Sequence, residues 1–246
     1  MEAGPVKLLS EDNMFKQMFN KFILTTALLL PACIGYATPA LAADLNQVLD
    51  KMQQTYQRMD SMVCDFNQTL LHKESGGTET RKGLLKFKKP MLVYWDVKGK
   101  EREILVINKK EIWDYLLDED LAYRYSLQLV EDSNSFIKVV TGQANVRQDF
   151  ESKLEEEQSG VAQIHLYPRN PTQQLTEAYL WVDVNSGMIK KLKVFDFFGN
   201  ENEVEFTSIK MDASLSDSTF NFTPPKGVEV QDRIENNNVP EKNLFQ

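Results

Sequence analysis

Cysteine and histidine are scarce in this chain, two of each in 246 residues. That is too few for a disulfide framework or a Cys/His zinc cluster. A basic excess is also missing: 28 Lys and Arg stand against 36 Asp and Glu, a net charge of −8. Neither nucleic acid nor an anionic membrane is therefore an expected partner. The sequence has no G-x-S-x-G, no P-loop and no G-x-G-x-x-G. His72 and His165 fall in no metal-binding frame and read as strand histidines. Glu155-Glu156-Glu157 lacks the alternating oxygen ligands of a calcium loop and reads as a solvated face. No pair of residues is nominated for catalysis, and no cofactor or metal is expected. What remains, 42% apolar and 26% charged, excludes collagenous, low-complexity, disordered and polytopic membrane proteins.

The first forty-odd residues read as an address. Lys16 and Lys21 precede an uncharged stretch over 22–43, whose strongly apolar part ends at Leu30. Pro31, Gly35 and Pro39 interrupt it, and Ala40-Leu41-Ala42 is the small-residue pattern that signal peptidase reads. Residues 1–42 are thus expected to be a cleaved signal peptide, with Met14 an alternative start. The other two readings are an uncleaved anchor and a lipoprotein box at Leu30-Pro31-Ala32-Cys33, against which Pro31 and the later A-x-A site both count. Cleavage removes Lys7, Lys16 and Lys21 together with Glu2, Glu11 and Asp12, so the net charge does not change. Cys64 then remains alone and is expected to be a small buried residue.

Residues 43–232 read as one domain and 233–246 as a polar tail. Leu45, Val48, Leu49, Met52, Tyr56 and Met59 recur at helical spacing behind Asp44, a capping residue. Period-two alternation follows: Val93, Trp95 and Val97, then Trp113 with Tyr115, Ile164 with Leu166, Leu180 with Val182, Leu192 with Val194, and Val204 with Phe206. Turn signals at Gly76-Gly77, Asn108-Lys109-Lys110, Asn185-Ser186-Gly187 and Phe198-Gly199-Asn200 imply short hairpins and an antiparallel meander. Between Ser126 and Gly142 the alternation stops. A short amphipathic helix is expected there, opening near Asp132-Ser133-Asn134-Ser135, carrying Phe136, Ile137, Val139 and Val140, and closing at Gly142. Such a helix lies across the sheet or plugs its mouth, as a lid would. Large apolar side chains are abundant on the strands, and periodicity leaves open whether they fill a core or line a cavity.

Several segments, taken in order, resemble the periplasmic outer-membrane lipoprotein carrier family, LolA. They are Phe66-Asn67-Gln68, Gly83-Leu84-Leu85-Lys86-Phe87, Lys88-Lys89-Pro90-Met91-Leu92-Val93-Tyr94-Trp95, Ile104-Leu105-Val106, Glu111-Ile112-Trp113-Asp114-Tyr115, Leu166-Tyr167-Pro168, Phe195-Asp196-Phe197-Phe198-Gly199-Asn200, and Phe220-Asn221-Phe222-Thr223-Pro224-Pro225-Lys226-Gly227-Val228. The resemblance implies an α+β, mainly antiparallel fold: an unclosed half β-barrel with an N-terminal helix and a helical lid over a hydrophobic cavity. It implies a non-enzymatic, monomeric periplasmic carrier of triacylated lipoproteins. An inner-membrane ABC-type transporter would load it and an outer-membrane receptor lipoprotein would unload it. The alternative, a lipid-anchored receptor of the same fold, requires acylation of Cys33. The expected cavity residues are Phe66, Phe87, Val93, Trp95, Val97, Trp113 and Tyr115, with Phe136, Ile137 and Val140 on the lid. Lys89 stands where the family has an arginine that latches the lid through its carbonyls, and Val93 where the family has a phenylalanine.

Overall fold

A computed structural model describes residues 1, 44–131 and 136–234, with the backbone alone for Glu131 and Phe136. The expected signal segment with Cys33, the expected helix start at 132–135, the Phe136 side chain and residues 235–246 lie outside the described residues. From residue 44 onward the described chain falls in one unit, Ala42–Gln246.

Asp44 stays extended and its carboxylate accepts from the Asn46 backbone N–H, which satisfies one of the free donors at the start of helix α1, Leu45–Arg58. Val48, Leu49, Met52 and Tyr56 form its buried face. Each such side chain removed from water contributes about 1.5–3 kcal/mol. Met59 is extended and ends the helix, and the chain then enters the sheet.

Among the described residues twelve strands form one sheet. They are β1 Ser61–His72, β2 Gly77–Lys88, β3 Leu92–Lys98, β4 Glu103–Ile107, β5 Glu111–Leu116, β6 Leu121–Ser126, β7 Phe150–Gln158, β8 Val161–Pro168, β9 Glu177–Asp183, β10 Ile189–Phe195, β11 Glu201–Met211 and β12 Glu229–Asp232. Their spatial order is β12-β6-β5-β4-β3-β2-β1-β11-β10-β9-β8-β7. Every pairing is antiparallel except that of β12 with β6. The order is two hairpin meanders joined where β1 pairs with β11, and the sheet ends on β12 and β7 without closing. The glutamate run lies on the edge strand β7, where charge discourages pairing with another chain.

Where one lid helix is expected, the described residues hold helical segments α2 Gln128–Glu131 and α3 Phe136–Val140, on either side of residues 132–135, and a further short helix α4 Val146–Asp149. Gly142 does close α3: its φ is +69°, and its N–H donates to the Val139 carbonyl. It also rests directly on Tyr56 of α1, where a Cβ would lie 2.3 Å from the Tyr56 Cβ. Only glycine satisfies both the dihedral and the contact.

Candidate functional site

Because strand side chains alternate between faces, the register groups the inward ones into rows that run across the sheet. One row is Cys64, Leu85, Trp95 and Leu105; the next is Met62, Phe87, Val93 and Ile107. A third runs Phe66, Gly83 and Val97. Gly83 is what lets Phe66 fold over the strand and stack on Trp95, with ring centroids 3.8 Å apart and planes 22° apart. A Cβ on Gly83 would lie 2.3 Å from the Phe66 ring and 2.2 Å from the Asp96 carbonyl oxygen.

These rows make one concave apolar face. Helix α1 and the short helices cover it through Val48, Leu49, Met52 and Tyr56 together with Val130, Ile137, Val139 and Val140. Seven of the expected cavity residues, Phe66, Phe87, Val93, Trp95, Val97, Ile137 and Val140, are thus brought together in a single cluster. Their side chains are buried between sheet and helices. An occupant of this face therefore requires the covering helices to move.

Trp113 and Tyr115 are not on that face. The β4–β5 turn places Ile107 opposite Ile112 and Val106 opposite Trp113, which sends Trp113 and Tyr115 to the convex side. There they join Leu92, Val106, Ala122 and Phe220 in a second cluster, and the Phe222 ring lies 5.5 Å from that of Trp113 and 5.7 Å from that of Tyr115. The segment after β11 folds back over this side, so β4 and β5 are buried on both faces. Period two cannot say which of two apolar faces is the inner one.

Lys89 also differs from expectation. Its Nζ donates to the Gln57 carbonyl in the last turn of α1 at 2.5 Å, and its backbone N–H donates to the Asp60 carbonyl. These two bonds stitch the residue to the α1–β1 junction. The lid reaches the same turn from its own side, through Gln143 Nε2 donating to the Pro90 carbonyl at 2.7 Å. At the other end, Arg147 of α4 donates to the Asn46 carbonyl at 2.9 Å and to Asp50 at 2.7 Å. Helix α4, four residues between Asn145 and Phe150, has no stability of its own. Apolar side chains and these tethers hold the covering segments against the sheet and α1.

Gln143 and Arg147 escaped sequence reasoning because neither lies in a recognisable pattern, and their partners are distant in sequence. The same holds for two inward polar residues beyond Leu105 and Ile107 in the rows, Asp114 and Tyr125.

The thiol is buried as expected, and burial pushes the Cys64 pKa up to about 12, which keeps it protonated and a poor nucleophile. His165 packs between the rings of Tyr167 and Tyr179, each with centroids at 4.0 Å. Its Nδ1 lies 3.0 Å from the Tyr167 hydroxyl, while Nε2 approaches Glu177 to 2.7 Å but off the line that a hydrogen bond needs. Among the described residues no group of three or more His, Cys, Asp and Glu could hold a metal ion, and no helix is long and apolar enough to cross a membrane.

Comparison with known proteins gives three results. The model of the family described as "Outer membrane lipoprotein carrier protein LolA" matches residues 57–223. An outer-membrane lipoprotein carrier protein of Neisseria gonorrhoeae is 25% identical over 194 residues, which are 78% of this chain and 91% of the relative. That of Pseudomonas putida is 24% identical over 212 residues, 85% of this chain and 97% of the relative. Among solved structures, an uncharacterized conserved protein from Thermus thermophilus superposes with a TM-score of 0.50 at 12% identity, covering 76% of this chain and 98% of that one. At that identity the likeness is one of fold alone.

Proposed function

The chain belongs to the outer membrane lipoprotein carrier family LolA, and from that premise we propose that it is a periplasmic carrier that shields the acyl chains of lipoproteins in transit. The observation that carries this reading is the concave apolar face from Phe66 to Ile107, covered by tethered helices in place of a second sheet. A permanent core is normally closed by elements stable enough to stay. A face closed by helices that are held by side-chain packing and a few hydrogen bonds can be opened.

The energetics fit a carrier that does not extract its own cargo. Three acyl chains of about fourteen methylenes each, at about 0.8 kcal/mol per CH₂, are held in a bilayer by roughly 30 kcal/mol. Loading must therefore be driven by a partner that spends chemical energy, for which an inner-membrane ABC-type transporter is the candidate. Unloading needs a second apolar acceptor, an outer-membrane receptor. The carrier itself needs an accessible apolar face and a lid that recloses, with no chemistry. Depleting the protein and fractionating the membranes tests this. Lipoproteins are expected to accumulate in the inner membrane, and unchanged sorting would refute the carrier reading.

The same proposal includes cleavage after Ala42, which leaves an unlipidated start at Ala43. Mass measurement of the mature protein checks it; a diacylglyceryl group on Cys33 would turn the reading to the anchored receptor.

Lys89 is proposed to act as a latch indirectly, by holding the α1 end against the turn that Gln143 also grips. A charged hydrogen bond contributes about 1.5–3 kcal/mol when sheltered and nearer 1 kcal/mol at the surface. Lys89→Leu should then favour the open form and slow delivery of preloaded lipoprotein to purified receptor about fivefold, while Lys89→Arg should preserve it. Transfer by Lys89→Leu at the parent rate would remove the latch from this residue.

A further inference from the structure

The concave face is not apolar across its whole width. The row through Trp95 and Leu105 continues to Asp114 and Tyr123, and the row through Val93 and Ile107 continues to Ile112 and Tyr125. Asp114 is 0% exposed and Tyr125 4%. A carboxylate and a phenol are therefore enclosed at one end of a wall that is apolar along the Trp95 and Val93 rows, while the Val97 row continues to Glu103, which is paired with Arg81. The Tyr125 hydroxyl has no hydrogen-bond partner among the described residues. Burial, and then the charge of Asp114 nearby, push its pKa up and keep it as an O–H donor.

An unpaired buried donor is rare in folded proteins, because it forfeits its bonds to water without replacement. Phenylalanine would fill the same volume without that penalty. The hydroxyl is thus a cost to the empty, closed state that a bound group could relieve. Its position suits that role. Tyr125 lies next to Ser126, the last residue of β6, from which the chain runs into α2. Lifting the lid uncovers this end of the face.

We propose that Tyr125, with Asp114 beside it, is a polar subsite that hydrogen-bonds the ester and amide groups joining the acyl chains to the first residue of a lipoprotein. This rests on the carrier reading and specifies which part of the cargo the face recognises. An ester carbonyl can only accept, and the Tyr125 O–H supplies a donor. An acyl amide N–H donates, and the Asp114 carboxylate accepts. From that point the chains would run along the Trp95 and Val93 rows, where there is nothing polar to satisfy.

The test uses Tyr125→Phe and three probes: a synthetic triacylated cysteinyl peptide, its analogue with both esters replaced by ethers, and palmitate. The variant should unfold at the same temperature as the parent or higher, since no described partner loses a bond. It should bind the triacylated peptide about three- to tenfold more weakly, the range of one neutral hydrogen bond. Palmitate affinity should be unchanged. The ether analogue should bind the parent more weakly than the ester peptide does, and the variant should not distinguish the two. Equal affinity of parent and variant for the ester peptide overturns the subsite and leaves the carrier reading standing. An equal loss for palmitate also overturns it, as a sign of general damage. A parent that binds none of the probes overturns both readings.

Discussion

Replacing Trp95 with Glu should abolish binding of acylated cargo and lower the thermal midpoint by roughly 10–20 °C. Two effects add. Trp95 is 1% exposed and stacks on Phe66, so the substitution removes a large core side chain, for which about 3–5 kcal/mol is typical. The new carboxylate then stands between Leu85 and Leu105, with no cation across either strand to pair with it. It must either stay ionised in an apolar site or take up a proton, at a further cost of several kcal/mol. The sum approaches the whole stability of an ordinary domain, about 5–15 kcal/mol. Trp95→Leu separates folding from function: it keeps the face apolar, loses the stack, and should fold with a smaller drop while binding cargo more weakly. Thermal unfolding and binding of a triacylated peptide, measured on both variants, decide the matter. Cargo retained by a folded Trp95→Glu protein would remove Trp95 from the binding face.

Gly83→Ala should destabilise the protein by about 2–4 kcal/mol, several times what adding a methyl group to a strand ordinarily does. The reason is not backbone freedom, since Gly83 does not have a positive φ. It is space: the new Cβ would meet the Asp96 carbonyl oxygen at 2.2 Å and the Phe66 ring at 2.3 Å. The ring can swing away only by leaving Trp95, and the carbonyl can retreat only by loosening the β2–β3 ladder that joins Gly83 to Val97. Shrinking the ring should therefore rescue only the first contact. The double variant Gly83→Ala/Phe66→Leu is expected to lose less than the sum of the two single losses, yet to remain below the parent. Additive losses measured by denaturant unfolding would show that Phe66 and Gly83 are not coupled.

Much of this architecture is decided locally and was legible in the sequence. Helix α1 follows from Asp44 and the spacing of Val48, Leu49, Met52 and Tyr56, because a capping carboxylate and a repeat near 3.6 need no distant partner. The strands around Val93-Trp95-Val97 and Leu180-Val182, and the turns between them, follow likewise from period two and from glycine and asparagine. The ordered segments from Phe66 to Val228 were enough to point to the family. Beyond that, tertiary structure decided. Trp113 and Trp95 alternate equally well with their neighbours; which of them faces inward depends on the β4–β5 register and on Phe220 and Phe222 returning to cover the other side. The lid region showed its apolar run from Phe136 to Val140 and its stop at Gly142 in the sequence, but the surface it covers is set by its packing against Tyr56 of α1. Lys89 has the right charge at the expected place, but its partner is set by where the last turn of α1 lies. Asp114 and Tyr125 look like ordinary strand residues until three successive cross-strand pairings put them on the same wall as Trp95 and Val93. A residue's own neighbours fix its periodicity; which surface it belongs to is fixed by strands that the local sequence does not contain.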